Sequence, residues 1–584
     1  MSRSLIAVWF RLILVVVILL VGIQLFLASN DDSTASSTIA KSSFTANDKA
    51  HSFNDNIIGI NMTVPKMDYD KLLLLGDSLT EWSIRTNGWG QLLMQEYSRR
   101  LDVEFHGYGG YNSWHLMHML PSILQEIQYS RDTIKLVTLL IGTNDARSLD
   151  PQHVDVDEYQ VHLEEIIHLI SEAVPKAKLV VMTPPPVGQR IVSHFHFNEL
   201  IVYRDACIET VQKLQQSLPN LELLNLWDLL IPTKSSLRDP AFDPASIMEF
   251  FSDGIHFSDK GNKQVFDGIL TLVKEKWPDL TPTTLKFKYP SIRQIPFGKV
   301  STDAVRKALF VNANQGSSLQ QTTATSIEPN MALDKIILLG DSLTDYGIRT
   351  VGWGQLLASN YTRKLSVKFR GFGGYTAFHM NQIIQPVLNE FPVEQIKLVT
   401  LMIGTNDYYI MKEGGIVSGV GDYKLNLEGV IRTVVETVPG VELLVMTPPP
   451  IGGRKIDGYL IETARVYRDA CIQVVETLMK KWSNIELINL WDVFVPAGGY
   501  DSDAFDPSSI AGFFLDGIHF EDKGHKAVFD AIIQRIESKW PQWKADQVEM
   551  KFPRYSELPG VKSGEEELRK VLFRNEREDN KIKS

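Results

Sequence analysis

Ser78 stands at the end of an apolar run, KLLLLGDS (Lys71–Ser78), and at the entry to a helical pattern. A serine at that junction exposes its hydroxyl beside free backbone N–H groups, where a helix dipole favours negative charge. It becomes a nucleophile only if a base can take its proton. The segment SDGIH (Ser252–His256) supplies an acid and a histidine three residues apart. Asp253 could hold the imidazole in one tautomer, and His256 could accept the serine proton. Asn144, after another apolar run, could donate a side-chain hydrogen bond to a developing oxyanion. Gly109 and Gly110 would let a backbone N–H approach the same point.

Each fragment alone has a plainer reading. Gly-Asp-Ser is a common turn, Asp253 suits a helix cap, His256 suits a packed surface position, and GTND suits a turn after a strand. The set says more than its parts, because it occurs in one order, with each member at a strand end, and it occurs twice. KLLLLGDSLTEWSIRTNGWGQLL (from Lys71) returns as KIILLGDSLTDYGIRTVGWGQLL (from Lys335), GYGGY as GFGGY, and KLVTLLIGTND as KLVTLMIGTND. VVMTPPPVG, LLNLWDLL and FFSDGIHFSDKG return as LVMTPPPIG, LINLWDVF and FFLDGIHFEDKG, and VYRDACI returns unchanged. The spacing is 264 residues from Ser78 to Ser342, 262 from Asn144 to Asn406 and 263 from His256 to His519. This is a tandem duplication of one domain-sized unit and not a short-period solenoid, so each unit is expected to hold its own core.

Within each unit, buried-strand runs (KLLLL, KLVTLLIG, KLVVMTPPP, LELLNLW) alternate with long helical patterns such as YQVHLEEIIHLISEAV and YRDACIETVQKLQQSL. That alternation predicts an open parallel sheet covered on both faces, with functional residues in the crevice outside the carboxyl ends of the strands.

Taken together, the four blocks resemble the GDSL or SGNH hydrolases, named for a Ser, a Gly, an Asn and a His. The resemblance spans roughly Lys71–Trp277 and Lys335–Trp540, and it is close to the isoamyl acetate-hydrolysing esterase branch through GWG, GxND, TPPP, LW and DGIHF. It implies two flavodoxin-like α/β/α domains. It also implies Ser78 as nucleophile, Gly110 and Asn144 as oxyanion donors beside the Ser78 N–H, and Asp253 orienting His256. In the second unit the matching residues are Ser342, Gly374, Asn406, Asp516 and His519. One departure is that Phe105 and Phe369 stand where block two of the family usually has Asn, which bears on loop geometry. The tails after Trp277 and Trp540 extend past the family core and echo each other, LKFKYP with VRKALF against EMKFPRY with LRKVLF. A strand or arm packing on the other unit is one arrangement for them.

The units differ beside the motifs. Glu81-Trp82 becomes Asp345-Tyr346, and the segment between TPPP and YRDACI diverges, so the two sites are expected to prefer different esters. His194 and His196 are too few for a metal centre and lack counterparts, so they read as surface or pocket lining. No metal or organic cofactor is expected. Cys207 and Cys471 occupy equivalent places and read as small buried core residues.

The whole chain has 584 residues, 44% hydrophobic and 22% charged, a globular balance that excludes wholesale disorder. Its 59 basic and 70 acidic residues give a net charge of −11, without the clustered cations that nucleic-acid binding needs. Two cysteines allow neither a disulfide framework nor a Cys-rich zinc module. The segment 5–28 is long and apolar enough to span a bilayer. Arg3 and Arg11 precede its apolar stretch and Asp31 and Asp32 follow it, which puts residues 1–4 in the cytosol and the rest in a lumen or outside. An uncleaved type II signal anchor is the expected form, and secretion after cleavage near Ala28–Ser29 is the alternative. Residues 29–66 read as a disordered stalk, 67–312 and 331–575 as the two hydrolase domains with their extensions, and 576–584 as a tail. Residues 313–330 read as a linker of about 25 Å typical span, allowing the units to sit side by side without fixed geometry. Asn61 and Asn360 lie in glycosylation sequons.

The expected function is that of a membrane-anchored serine esterase with two sites acting on short-chain carboxylic esters. A glycan O-acetyl esterase, a lysolipid hydrolase and, from another class, a non-catalytic binding or scaffold protein are the alternatives.

Overall fold

Leu72–Leu75 are four consecutive leucines with no exposed surface, a pattern that requires a strand covered on both faces. In the computed structural model, which describes residues 67–127, 132–149, 151–231, 242–296, 301–312, 332–412, 415–495 and 498–574, they lie in β1 (Asp70–Gly76). The expected anchor at 5–28, the stalk, the linker 313–330 and the tail 576–584 lie outside the described residues. Among the described residues no helix is long and apolar enough to cross a membrane.

The first repeat continues with β2 (Leu101–Gly107), β3 (Ile134–Leu140), β4 (Lys178–Met182) and β5 (Leu221–Leu224). All pair in parallel, in the order β2-β1-β3-β4-β5. The second repeat builds the same sheet from β6 (Asp334–Gly340), β7 (Leu365–Gly371), β8 (Ile396–Met402), β9 (Glu442–Met446) and β10 (Ile485–Ile488), in the order β7-β6-β8-β9-β10. Crossover helices such as Val156–Ala173, Phe197–Leu214 and Asp259–Lys276 join or follow the strands. The order reverses beside β1 and β6, whose carboxyl ends therefore open onto the crevice of a doubly wound sheet. Cys207 and Cys471 are buried and free, and burial pushes both thiols up to about 12, so they are inert packing groups. His194 lies exposed in the turn of a small hairpin with φ +71°.

Each repeat builds a core from its own sheet and helices, but the tails cross over to complete it. Phe552, Leu558, Leu568, Leu572 and Phe573, from the end of the chain, join the core of the first repeat. Tyr289, Ile295, Val305 and Leu309, from the tail of the first repeat, join the core of the second, together with Met67 and Tyr69. The arrangement is not without fixed geometry. The Gln91 side chain donates to Ile348 O at 3.0 Å, and its counterpart Gln355 donates to Ile84 O at 2.9 Å. Tyr111 Oη donates to Pro553 O and Tyr375 Oη to Pro290 O, both at 2.9 Å. Reciprocal pairs of this kind are the mark of an isologous interface, here made by two halves of one chain. The edge strands β2 and β7 meet through side chains. Arg370, 1% exposed, forms a bidentate pair with Asp102 at 2.8–2.9 Å and also engages Glu390, while Lys368 pairs with Glu104. The buried charges and interleaved tails fix the two halves against each other.

Candidate active site

The turn after β1 is held from three sides. Asp77, fully buried, accepts the Leu79 N–H at 2.9 Å through Oδ1 and so opens the short helix Ser78–Glu81. Trp89 of the GWG motif is completely buried, and its indole N–H donates to Leu79 O at 3.0 Å. Gly107, at the end of β2, packs so closely that a Cβ there would fall 2.0 Å from Glu81 N. Asp341, Trp353 and Gly371 repeat these contacts in the second half.

Against this rigid turn lies the loop ahead of the helix Asp259–Lys276. His256 Nε2 is 2.9 Å from Ser78 Oγ, and His256 Nδ1 is 2.7 Å from Asp253 Oδ2. The other Asp253 oxygen accepts the N–H groups of Ile255 and His256 at 2.9 and 2.8 Å. Burial works against the Asp253 charge, but the hydrogen bonds from the His256 ring and from those two N–H groups hold its carboxyl below the ordinary range. The second repeat has the same relay: Ser342 to His519 at 2.9 Å, and His519 to Asp516 at 2.7 Å. An imidazole held between a hydroxyl and a carboxylate can take the hydroxyl proton while the carboxylate fixes its tautomer.

Trp82 stacks on the His256 ring at 3.7 Å with the planes 18° apart, and the Arg85 guanidinium covers the other side of the indole at 3.6 Å. Tyr346 and Arg349 take these places in the second repeat, with Tyr346 tilted at 32° and 4.5 Å from His519. The Trp82-to-Tyr346 difference seen in the sequence therefore falls directly on the base.

Gly110 and Gly374 adopt φ +80° and +84°, a backbone that strongly favours glycine. Asn144 donates one amide hydrogen to Tyr111 O at 2.8 Å, which leaves the second for another acceptor. Asn406 does the same with Tyr375 O at 3.0 Å. Gln152, which no motif singled out, bridges the two: its amide donates to Gly110 O at 2.7 Å and to Asn144 Oδ1 at 3.2 Å. In the second repeat Tyr459 Oη donates to Asn406 Oδ1 at 3.4 Å instead. Asp145, next to Asn144, is fully buried and accepts both the N–H and the hydroxyl of Ser113. Burial pushes its carboxyl up to about 7, and does the same to Asp77, Asp341 and Asp407. Among the described residues no group of three or more His, Cys, Asp or Glu side chains could hold a metal.

A hydroxyl–imidazole–carboxylate relay at the carboxyl end of an open parallel sheet defines the class, an acyl-ester hydrolase of α/β architecture. The chain belongs to the GDSL-like lipase/acylhydrolase family, which matches residues 74–264 and 338–527, one stretch in each repeat. A GDSL esterase/lipase of Arabidopsis thaliana is 30% identical over 239 residues, covering 38% of this chain and 91% of its own. The isoamyl acetate-hydrolyzing esterase of Schizosaccharomyces pombe is 30% identical over 234 residues, covering 40% and 86%. The human isoamyl acetate-hydrolyzing esterase 1 homolog is 29% identical over 222 residues, covering 36% and 83%. Among solved structures, an acetyl xylan esterase matches with TM-score 0.29 and 21% identity, over 35% of this chain and 99% of that one.

Proposed function

We propose that both repeats are working serine esterases that cleave small carboxylic esters with short acyl groups through an acyl-serine intermediate. The observation that carries this reading is the intact relay in each half, with serine–histidine and histidine–aspartate distances that agree between the repeats. Ser78 or Ser342 attacks the ester carbonyl as His256 or His519 takes its proton. The Ser N–H, the glycine N–H (Gly110 or Gly374) and the free amide hydrogen of Asn144 or Asn406 receive the negative oxygen. The histidine then protonates the departing alcohol, and water, deprotonated by the same ring, releases the acid. The names of the relatives from Schizosaccharomyces pombe and Homo sapiens support acetate esters as the first substrates to try.

The apolar segment 5–28 supports a membrane anchor with both sites on the lumenal or extracellular side. Asn360 is exposed at the end of the helix Trp353–Asn360, accessible to glycosylation there. A glycosidase-sensitive mass shift that Asn360→Gln removes supports that topology, and an unmodified Asn360 in cells argues against it.

The catalytic reading is tested on p-nitrophenyl acetate and longer acyl esters with Ser78→Ala, Ser342→Ala and the double variant. Each single variant is expected to keep the activity of the other site, and the double variant to lose at least about 10³-fold. A double variant as active as the parent removes the proposal.

A further inference from the structure

We propose that each catalytic centre is positioned by an arginine from the opposite repeat: Arg363 serves the Ser78 site and Arg99 serves the Ser342 site. The inference rests on the esterase reading above and extends it to the origin of the oxyanion loop's geometry.

Glu81 closes the nucleophile turn, three residues after Ser78, and its Oε2 accepts the Gly109 N–H at 2.6 Å. Gly109 precedes Gly110, so this one carboxylate ties the nucleophile turn to the loop that presents the oxyanion N–H. Arg85 of the same repeat lies near enough to feel the Glu81 charge, but its guanidinium rests on the Trp82 ring and makes no hydrogen bond to the carboxylate. Arg363 does, with Nη1 3.3 Å from the same oxygen. Its side chain is 8% exposed. Its second amino group donates to Phe552 O at 3.2 Å and Pro553 O at 2.7 Å, in the tail that crosses from the second repeat. The guanidinium also lies 5.4 and 5.6 Å from the ring centres of Tyr108 and Tyr111, on either side of the two glycines. Tyr111 in turn donates to Pro553 O and accepts from Asn144. One planar fork thus gathers the nucleophile turn, the oxyanion loop and the incoming tail, a task suited to arginine and not to lysine.

The mirror arrangement makes coincidence a poor account. Arg99 sits 3.7 Å from Asp345 Oδ2, and the Asp345 carboxylate accepts the Gly373 N–H. Its Nη2 donates to Tyr289 O at 3.3 Å and to Pro290 O at 3.0 Å, in the first repeat's tail. Both arginines take the left-handed backbone, each at φ +64°, a conformation that side chains other than glycine adopt at a cost. Asp345 is one methylene shorter than Glu81, which accounts for the longer approach and predicts the weaker effect at the Ser342 site.

The test reads the two sites separately in the full chain: rates of fluorophosphonate labelling at Ser78 and Ser342, resolved by peptide mass spectrometry. Arg363→Met is expected to slow labelling of Ser78 by about 10–100-fold, the range for misplacing one oxyanion donor, and to leave Ser342 within about two-fold. Arg99→Met is expected to slow Ser342, less steeply, and spare Ser78. Arg363→Lys keeps the charge and loses the fork, so it is expected to fall between parent and Arg363→Met at Ser78 alone. It decides the matter if the Met variant does not fold. With a parent that labels at both serines, folded variants that slow both equally, neither, or only the serine of their own repeat overturn the proposal. A parent that labels at neither serine overturns the esterase reading, and this inference with it.

Discussion

At the scale of the residue, the site rests on carboxyl groups placed where water cannot reach them. Asp77, Asp145, Asp341 and Asp407 sit beneath the nucleophile turns and the asparagine turns, and burial raises each to about 7. In the unfolded chain they titrate near 4, so between about pH 4 and 7 the folded protein binds more protons than the unfolded one. Their contribution to stability is therefore greatest at the acid end and declines as pH rises through 7. Calorimetry is expected to give a lower Tm at pH 8 than at pH 5.5, with a shallower slope in the Asp77→Asn, Asp341→Asn double variant. An equal slope in that variant would remove these groups as the cause. Asp253 behaves oppositely, since its partners keep it charged. Asp253→Asn, assayed with Ser342→Ala, is expected to cut turnover by at least about 10²-fold, because the imidazole loses the group that fixes its tautomer. Ser78, Gly110 and Asn144 stand out in the sequence because each follows the end of a strand, and Asp253 and His256 because they stand three apart just ahead of a helix. Gln152 does not, because a glutamine in a loop carries no pattern. Its role appears only when Gly110 O and Asn144 Oδ1 lie within reach.

At the scale of the element, the crossing tails decide what lies beside Gly110 and Gly374. A Cβ on Gly110 would fall 2.3 Å from the ring of Tyr555, and a Cβ on Gly374 would fall 2.6 Å from Ile292. Gly110→Ala faces both that clash and an unfavourable φ, the latter alone worth about 1–2 kcal/mol. It is expected to lower the melting temperature and to abolish labelling of Ser78 while leaving Ser342 reactive. The Tyr555 and Ile292 difference, with Trp82 against Tyr346, gives the two sites different walls. With Ser342→Ala to isolate the first site, Tyr555→Ile is expected to shift its acyl-length profile toward that of the second. Matching profiles for the two wild-type sites would remove the premise. The parallel sheet was legible because four buried runs alternate with helical patterns. Packing of the tails on the opposite unit stands in the sequence only as one arrangement, since LKFKYP and EMKFPRY say that an apolar face exists and not whose core it covers.

At the scale of the whole molecule, the duplication behaves as an internal dimer. Arg370, 1% exposed, faces Asp102 of the first repeat and Glu390 of its own. Removing the cation leaves two carboxylates with little access to solvent, a loss of about 3–5 kcal/mol. Arg370→Leu is expected to lower denaturant stability by that much and to weaken both sites, since the interface carries both tails. A change under about 1 kcal/mol would show that solvent reaches the pair. The contact could not be read from the repeat pattern, because the duplication does not preserve it. His106 occupies the position equivalent to Arg370, and Ser366 the position equivalent to Asp102.

The Tyr111 hydrogen bond to Pro553 spans 442 residues. Its counterpart, from Tyr375 back to Pro290, spans 85 and reaches a segment that is already made. A ribosome adding about 5–20 residues per second needs roughly 20–90 s to travel from Tyr111 to Pro553. Through that interval the first-made catalytic centre waits with its oxyanion loop unbraced, while the later one meets its brace as it emerges. The order of birth and the order of completion are thus reversed, and a chain that stops short of Pro553 is expected to leave without its brace the half it finished translating first.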